Sequence, residues 1–497
     1  MRYPTTAGTV VGAIVLAVLG ALMGPQWAPV PMTDPLTVQS SSTAIAGAPT
    51  TGPYPVQSSV VTVQLDGADV EAQVLMPVGV EGDVPGVVFV HGAGTGRHTG
   101  AFVDQAHALA EAGVATIVPD KRLDTYTVRH RDYVTMAEDY LRSFDVLRSL
   151  DGVDPDRVGV YAESEGAWIA PVMAVDEPDV AFVVLVSAPV VPARQQAAFA
   201  VDNYLRNTGV PQQVFRAIPR AVGMSLPGGG FEYADFDVAP YQRRTTQPVL
   251  VAYGTADASM PQVQGAEQII RDLAIAGNTD YTVRYYRGGD HGIRVDGEVA
   301  PAFLRDLTGW VQGLPDTGSA WPRIAGDQPE QLYWAAPVAQ PRWLGDGDVL
   351  VFLVVGAVGL VVVLPAGRWT TVGVRRLRGL PPTPADRGLT QRLALLSLTS
   401  VATVGALVWY LVAVARLALG YERNGWIVQG GWLGVRLLGL AAVIAASAVA
   451  VRLRALRRTG EPLARGVVGH VELWGTCVAC AALLVVLAYW GVYQLGI

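Results

Sequence analysis

Cysteine is nearly absent: Cys477 and Cys480 are the only two in 497 residues, and both lie in one apolar run near the C-terminus. The long stretch before them therefore holds neither a disulfide nor a cysteine-ligated zinc, and its folding does not depend on redox compartment. The C-x-x-C spacing puts the two thiols on roughly one helical face, and with no second cysteine pair it reads as packing rather than metal binding. Lysine is scarcer still, Lys121 being the only one among many arginines, which reads as coding bias. Charged residues make up only 16% against 51% apolar, low for a soluble protein. The net charge of −7, with no basic stripe outside loops beside apolar runs, argues against nucleic acid as a partner. There is no H-E-x-x-H, no clustered His/Asp spacing, no P-loop and no G-x-G-x-x-G followed by an acid, so neither a metal nor a cofactor is implied.

The charge deficit is local. Residues 25–345 read as a globular domain with flanking linkers, whereas 349–497 are dominated by long apolar runs. Five segments approach the roughly 20 apolar residues that a membrane helix needs: about 7–24, 348–365, 393–416, 428–450 and 468–494. The first reads as an uncleaved anchor over residues 1–24 rather than a signal peptide, because small residues are poorly placed for cleavage after it. The loop after the second segment carries six arginines from Arg368 to Arg392 against Asp386, and the loop after the fourth carries five from Arg452 to Arg465 against Glu461. The loop between them, near Tyr421 to Asn424, carries one Glu and one Arg. Arginine-rich loops stay cytoplasmic, which places the globular domain outside the cytoplasm. Arg416, Arg436 and Glu472 sit near segment ends, where long side chains reach the interface.

Residues 25–57 and 314–347 are rich in Pro, Ser, Thr and Gly and read as extended linkers. Between them "SSVVTVQLDGADVEAQVLMP" alternates around Asp66-Gly67, a hairpin signal. Then "GVVFVHG", "ATIVPD", "RVGVYAES", "AFVVLVSAP" and "PVLVAYGTAD" follow as short continuous apolar runs, suited to parallel strands buried on both faces. Helical periodicity over 101–113 and 134–150 separates the first of them. The expected fold is α/β: a doubly wound, mostly parallel sheet over 58–313, opened by an antiparallel hairpin. A helical insertion at about 193–246 is expected to act as a cap, and 348–497 to form a four-helix transmembrane region.

In "VGVYAESEGAW" a strand ends at Ala162-Glu163-Ser164-Glu165-Gly166 and a helix begins. A strand-to-helix turn with small flanking residues is how a nucleophilic serine is exposed. Ser164 is the candidate nucleophile. Upstream, "FVHGAGTG" closes an earlier strand with backbone amides, chiefly at Ala93, that can face a developing oxyanion; the second donor is the amide of Glu165. Downstream, "VAYGTADASMP" supplies Asp257 and "YYRGGDHGIR" supplies His291. The order Ser, Asp, His differs from both the chymotrypsin and subtilisin orders. His91, Gly92, His98 and Glu163 are expected to line the pocket. Glu165 is expected to place its side chain at the helix start, where negative charge is favoured.

These motifs resemble the α/β-hydrolase superfamily, within it the dienelactone-hydrolase-like and prolyl-oligopeptidase-like esterases; "PDKRLDTYT" resembles that group's "DKRG" stretch. The resemblance covers about half of the chain and implies nucleophile, general base and orienting acid for Ser164, His291 and Asp257. Ala162, Ala167 and Leu123 stand where that pattern has glycine, which bears on pocket shape more than on reaction. The expected activity is ester or thioester hydrolysis through an acyl-enzyme by a multi-pass membrane protein. The partners are a small-molecule or lipid-like acyl ester and the bilayer, with the oligomeric state open. Linkers of ~30 residues would reach ~30 Å if flexible. The alternatives are a prolyl-oligopeptidase-like peptidase and a catalytically idle scaffold or transport protein.

Overall fold

The apolar runs become strands of one sheet. The computed structural model describes residues 2–94, 96–380, 386–419 and 422–494. Contacts divide the chain into two units: Pro29–Ala200 with Gly230–Pro337, and Met1–Ala28 with Val201–Gly229 and Val338–Ile497.

In the first unit β1 (Val56–Leu65) and β2 (Ala68–Pro77) form the expected hairpin, with Leu65 opposite Ala68 and Gly67 at φ 77°. β2 pairs antiparallel with β4 (Ala115–Pro119), and β3 (Val84–Val90) lies beyond it. β5 (Val153–Glu163), β6 (Val183–Val186), β7 (Val249–Gly254) and β8 (Tyr281–Tyr286) continue the sheet in parallel. A short ribbon of β9 (Arg294–Val295) and β10 (Glu298–Val299) follows. β11 (Ile324–Gly326) then adds a parallel edge to β8. The sheet order β1-β2-β4-β3-β5-β6-β7-β8-β11 is that of an α/β-hydrolase fold. Every residue of β3, β4 and β7 is buried, because helices cover both faces. Alternate side chains feed two cores: Val88, Val90, Val160 and Ala162 go to one, and Val87, Phe89 and Tyr161 to the other.

The proline-rich segments differ from expectation. Pro31 bridges Tyr333 and Ser40 bridges Ala325. Gln39 Oε1 accepts the N–H groups of Arg323 and Ile324 at 2.9 and 3.2 Å, and the Tyr54 N–H donates to Glu111 O at 2.8 Å. Residues 31–40 and 323–333 are thus joined at the sheet edge by contacts across nearly 300 positions of sequence, and Tyr54 is tied to the end of the helix Val103–Glu111. The reach of a flexible linker does not apply to them.

Among the described residues of the second unit, five helices are long and apolar enough to cross a membrane: Thr5–Leu22, Gly347–Leu377, Arg387–Ala418, Trp426–Thr459 and Gly466–Tyr489. Arg387–Leu419 packs along Trp432–Thr459, Gly347–Leu377 along Gly466–Tyr489, and the N-terminal helix Arg2–Leu22 against both Trp432–Thr459 and Gly466–Tyr489. Glycines make that last contact possible: a Cβ on Gly12 would lie 3.2 Å from Val443, and one on Gly20 2.1 Å from the Ala488 carbonyl oxygen. Cys480 is buried beside Ser397 and Cys477 is half-buried, both as free thiols. Glu472 pairs with Arg368 at 2.7 Å, and Arg436 donates to Gln494 O at 2.7 Å. Tyr421 lies outside the described residues.

The expected cap at 193–246 is divided. Residues 230–246 belong with the sheet, whereas 201–229 belong to the helical unit. There the Trp27 Nε1–H donates to Asp202 and the Tyr204 hydroxyl to Glu422 O, at 2.8 and 2.5 Å.

Candidate active site

The elbow is set by local geometry. β5 ends at Glu163, Ser164 takes φ 55°, and the helix Gly166–Asp176 begins. Holding a non-glycine residue in this left-handed region costs about 1–3 kcal/mol. The surrounding bonds impose it: the Ser164 N–H donates to Val186 O, and the Ala167 N–H to Ser164 O, both at 2.9 Å. Gly166 has no room for a side chain, since a Cβ would lie 2.6 Å from the Val90 carbonyl oxygen. Ala162 and Ala167 are fully buried.

The loop after β3 runs against this turn. A Cβ on Gly92 would lie 3.1 Å from Glu163 O and 3.2 Å from Ser164 Cβ. Ala93 is exposed next to it. Among the described residues the Glu165 N–H has no hydrogen-bond acceptor, so it is available at the start of the helix.

Asp257 follows β7 and His291 follows β8, and the fold brings them together: His291 Nδ1 and Asp257 Oδ2 are 2.8 Å apart. Asp257 is buried, and its other oxygen accepts the Ser259 hydroxyl at 2.6 Å and N–H at 2.8 Å. Burial opposes its ionisation, but the hydrogen bonds from His291 and Ser259 hold the carboxyl below the usual range. For His291 burial acts against the charged form; the Asp257 bond and charge, then Glu163 and Asp290, outweigh it and raise the imidazole.

The two glutamates have different surroundings. Glu163 accepts from the Tyr161 hydroxyl at 3.3 Å, and burial lifts its carboxyl above the ordinary value although His291 pulls the other way. Glu165, 2% exposed, does not lie free at the helix start. It accepts from Lys121 Nζ and the Tyr126 hydroxyl at 2.9 Å, from the Tyr133 hydroxyl at 3.2 Å and from Arg131. Lys121 Nζ also donates to Gly92 O at 2.9 Å. One buried ammonium thus ties the loop after β3 to the residue following Ser164. The rings of Tyr126 and Tyr233 flank Arg131 at 4.8 and 4.6 Å.

Sequence reasoning missed Lys121, Arg131, Tyr126 and Tyr133. The available signal was the solitary lysine inside the "DKR" string. His91 is fully buried against Phe102 and Tyr140, with Nε2 2.6 Å from Pro119 O; burial pushes it down to about 4. It is a neutral prop beneath the loop rather than a pocket residue. His98 is buried with Nδ1 2.8 Å from Asp120 Oδ1. Glu71, His98 and Asp120 bring ligand atoms within 4.8 Å of one another, but Asp120 already accepts from Arg97 and His98.

Residues 101–315 match the prolyl oligopeptidase family. No curated relative matches the chain. Among solved structures, the chain is similar to the hyperthermophilic esterase from the archaeon Pyrobaculum calidifontis, at 19% identity and TM-score 0.38, covering 52% of this chain and 85% of that one. It is also similar to Est1E from Butyrivibrio proteoclasticus, at 17% and TM-score 0.35, covering 52% and 99%. A third is a Mycobacterium tuberculosis puromycin-hydrolyzing peptidase, at 21% and TM-score 0.39, covering 57% of this chain and 42% of that one. The sheet-bearing unit has the α/β-hydrolase fold, and the match to the prolyl oligopeptidase family lies within it.

Proposed function

We propose that this protein is a membrane-anchored serine hydrolase that cleaves a carboxylic ester or thioester, with its catalytic unit outside the cytoplasm. The observation that carries the reading is the conjunction of a strained Ser164 at an elbow with an Asp257–His291 pair at 2.8 Å. Ser164 Oγ attacks the acyl carbon while His291 Nε2 takes its proton, and Asp257 holds Nδ1–H and steadies the imidazolium. The negative charge formed on the carbonyl oxygen faces the N–H groups of Ala93 and Glu165. The C–O or C–S bond then breaks, His291 returns its proton to the departing alcohol or thiol, and water deacylates Ser164 by the same route. The Glu163 carboxylate, close enough to act on the imidazole, disfavours anionic acyl groups.

The second reading is a peptidase, favoured by the prolyl oligopeptidase family match over residues 101–315. An idle scaffold or transporter would need neither the strained turn nor the paired histidine.

The deciding experiment labels intact cells with a membrane-impermeant fluorophosphonate, comparing wild type with Ser164→Ala. Labelling confined to wild type supports both the activated serine and its orientation. Labelling only after lysis overturns the orientation and brings cytoplasmic thioesters into play. No labelling of the folded protein in either state favours a binding role.

A further inference from the structure

Among the described residues of the helical unit, Arg216 and Arg220 have buried nitrogens and no carboxylate partner. Arg216 closes the short turn Gln212–Arg216 and Arg220 lies in the next, Ala217–Val222, four residues on and on the same side. Arg220 is fully buried. Its Nη2 donates to Gly20 O at 2.9 Å, one of the last carbonyls of the helix Arg2–Leu22, and its guanidinium lies 4.9 Å over the Tyr489 ring. Its Nε and Nη1, the Arg216 Nη1 and the Tyr489 hydroxyl are all buried with no hydrogen-bond partner. Asp202, the acid within residues 201–229, is already committed to Arg206 and Trp27, each at 2.8 Å.

A guanidinium does not shed its proton at physiological pH, so two desolvated charges side by side require an anion. Burial pushes Arg220 down to about 10, with the neighbouring Arg216 adding to the effect. Arg216 is only half-buried, so an anion can approach from its side. The location narrows the ligand class. Gly20 and Tyr489 lie at the ends of two helices long enough to span a bilayer, beside Trp490 and Tyr493. Such aromatic residues collect at headgroup depth.

We propose that Arg216 and Arg220, with the Tyr489 hydroxyl, bind the phosphate of an anionic phospholipid headgroup. The insertion in the hydrolase sequence thereby reads the composition of the membrane. The site is independent of the proposed catalysis, and its test uses binding alone.

The purified full-length protein in neutral detergent is titrated calorimetrically with dihexanoyl phosphatidylglycerol, dihexanoyl phosphatidylcholine and inorganic phosphate. Phosphatidylglycerol is expected to bind most tightly. Arg216→Gln is expected to weaken it about tenfold or more, the scale of one charge-assisted contact to phosphate. Arg220 also caps Gly20, so its loss can perturb folding; Arg216→Gln, checked by elution volume and thermal unfolding, is the deciding variant. Phosphatidylglycerol binding that is unchanged in folded Arg216→Gln overturns the proposal. Inorganic phosphate binding as tightly as the lipid overturns the lipid source, and equal binding of phosphatidylcholine overturns selection for anionic headgroups.

Discussion

Glu163 and Glu165 are the same residue type, two positions apart, on either side of one serine, yet they do opposite things. Glu163 is the last residue of β5, and its carboxylate meets one phenol, that of Tyr161, and the fields of His291, Arg294 and Asp290. Glu165 lies one residue past the left-handed turn, which sends its side chain to the other side of the elbow, among Lys121, Arg131, Tyr126 and Tyr133. Its charge is cancelled locally, and what it supplies to the site is rigidity and a backbone amide. Glu163 has no ion-pair partner among the described residues, and under the proposed mechanism it is the carboxylate that acts on the histidine. A motif of flanking acids therefore describes two unrelated devices, separated by one φ angle.

The comparison can be broken most severely at Glu165. Glu165→Ala leaves buried Lys121 and half-buried Arg131 without their counter-charge, and unfolding measurements are expected to show a loss of about 3–5 kcal/mol, with Ser164 labelling falling as the loop after β3 loosens. The same substitution at Glu163 is expected to cost far less, and equal losses would refute the distinction. Next in size is Gly166→Ala, whose methyl would lie 2.6 Å from the Val90 carbonyl. It is expected to cost about 1–3 kcal/mol as overpacking and to lower kcat, because the elbow must shift. Glu163→Gln is the smallest and most specific change. The Glu163 charge helps to hold His291 above its ordinary range, and the reaction needs His291 unprotonated. A raised histidine keeps the enzyme inactive to higher pH, so removing that charge moves the acidic limb of the pH–rate profile to lower pH, with the unfolding midpoint nearly unchanged. A limb that stays in place would mean that Glu163 does not act on the imidazole.

Much of the fold was legible because it rests on local pattern. Continuous Val/Ile/Leu runs became buried parallel strands, and the Asp66-Gly67 hairpin formed in register. The candidate site was legible for the same reason: Ser164, Asp257 and His291 each sit where a strand ends and the backbone turns. Lys121 was not legible as part of it. Its role depends on Glu165 and Gly92, 44 and 29 positions away, and a solitary lysine among arginines looks like codon usage. His91 was misplaced for a related reason: adjacency to a catalytic loop says nothing about which side of the loop a ring takes. The proline-rich segments looked like free linkers because their partners lie nearly 300 residues apart in the chain.

The sequence by itself determined the strands, the elbow, the order of the triad candidates and the five apolar helices, since run length, periodicity and turn chemistry act over a few residues. Only the tertiary structure decided that Glu165 is paired with Lys121, that the flanking segments join the sheet edge, and that residues 201–229 pack with the apolar helices. Each of these depends on which distant donor or carbonyl is left without water on folding, and that competition has no local signature.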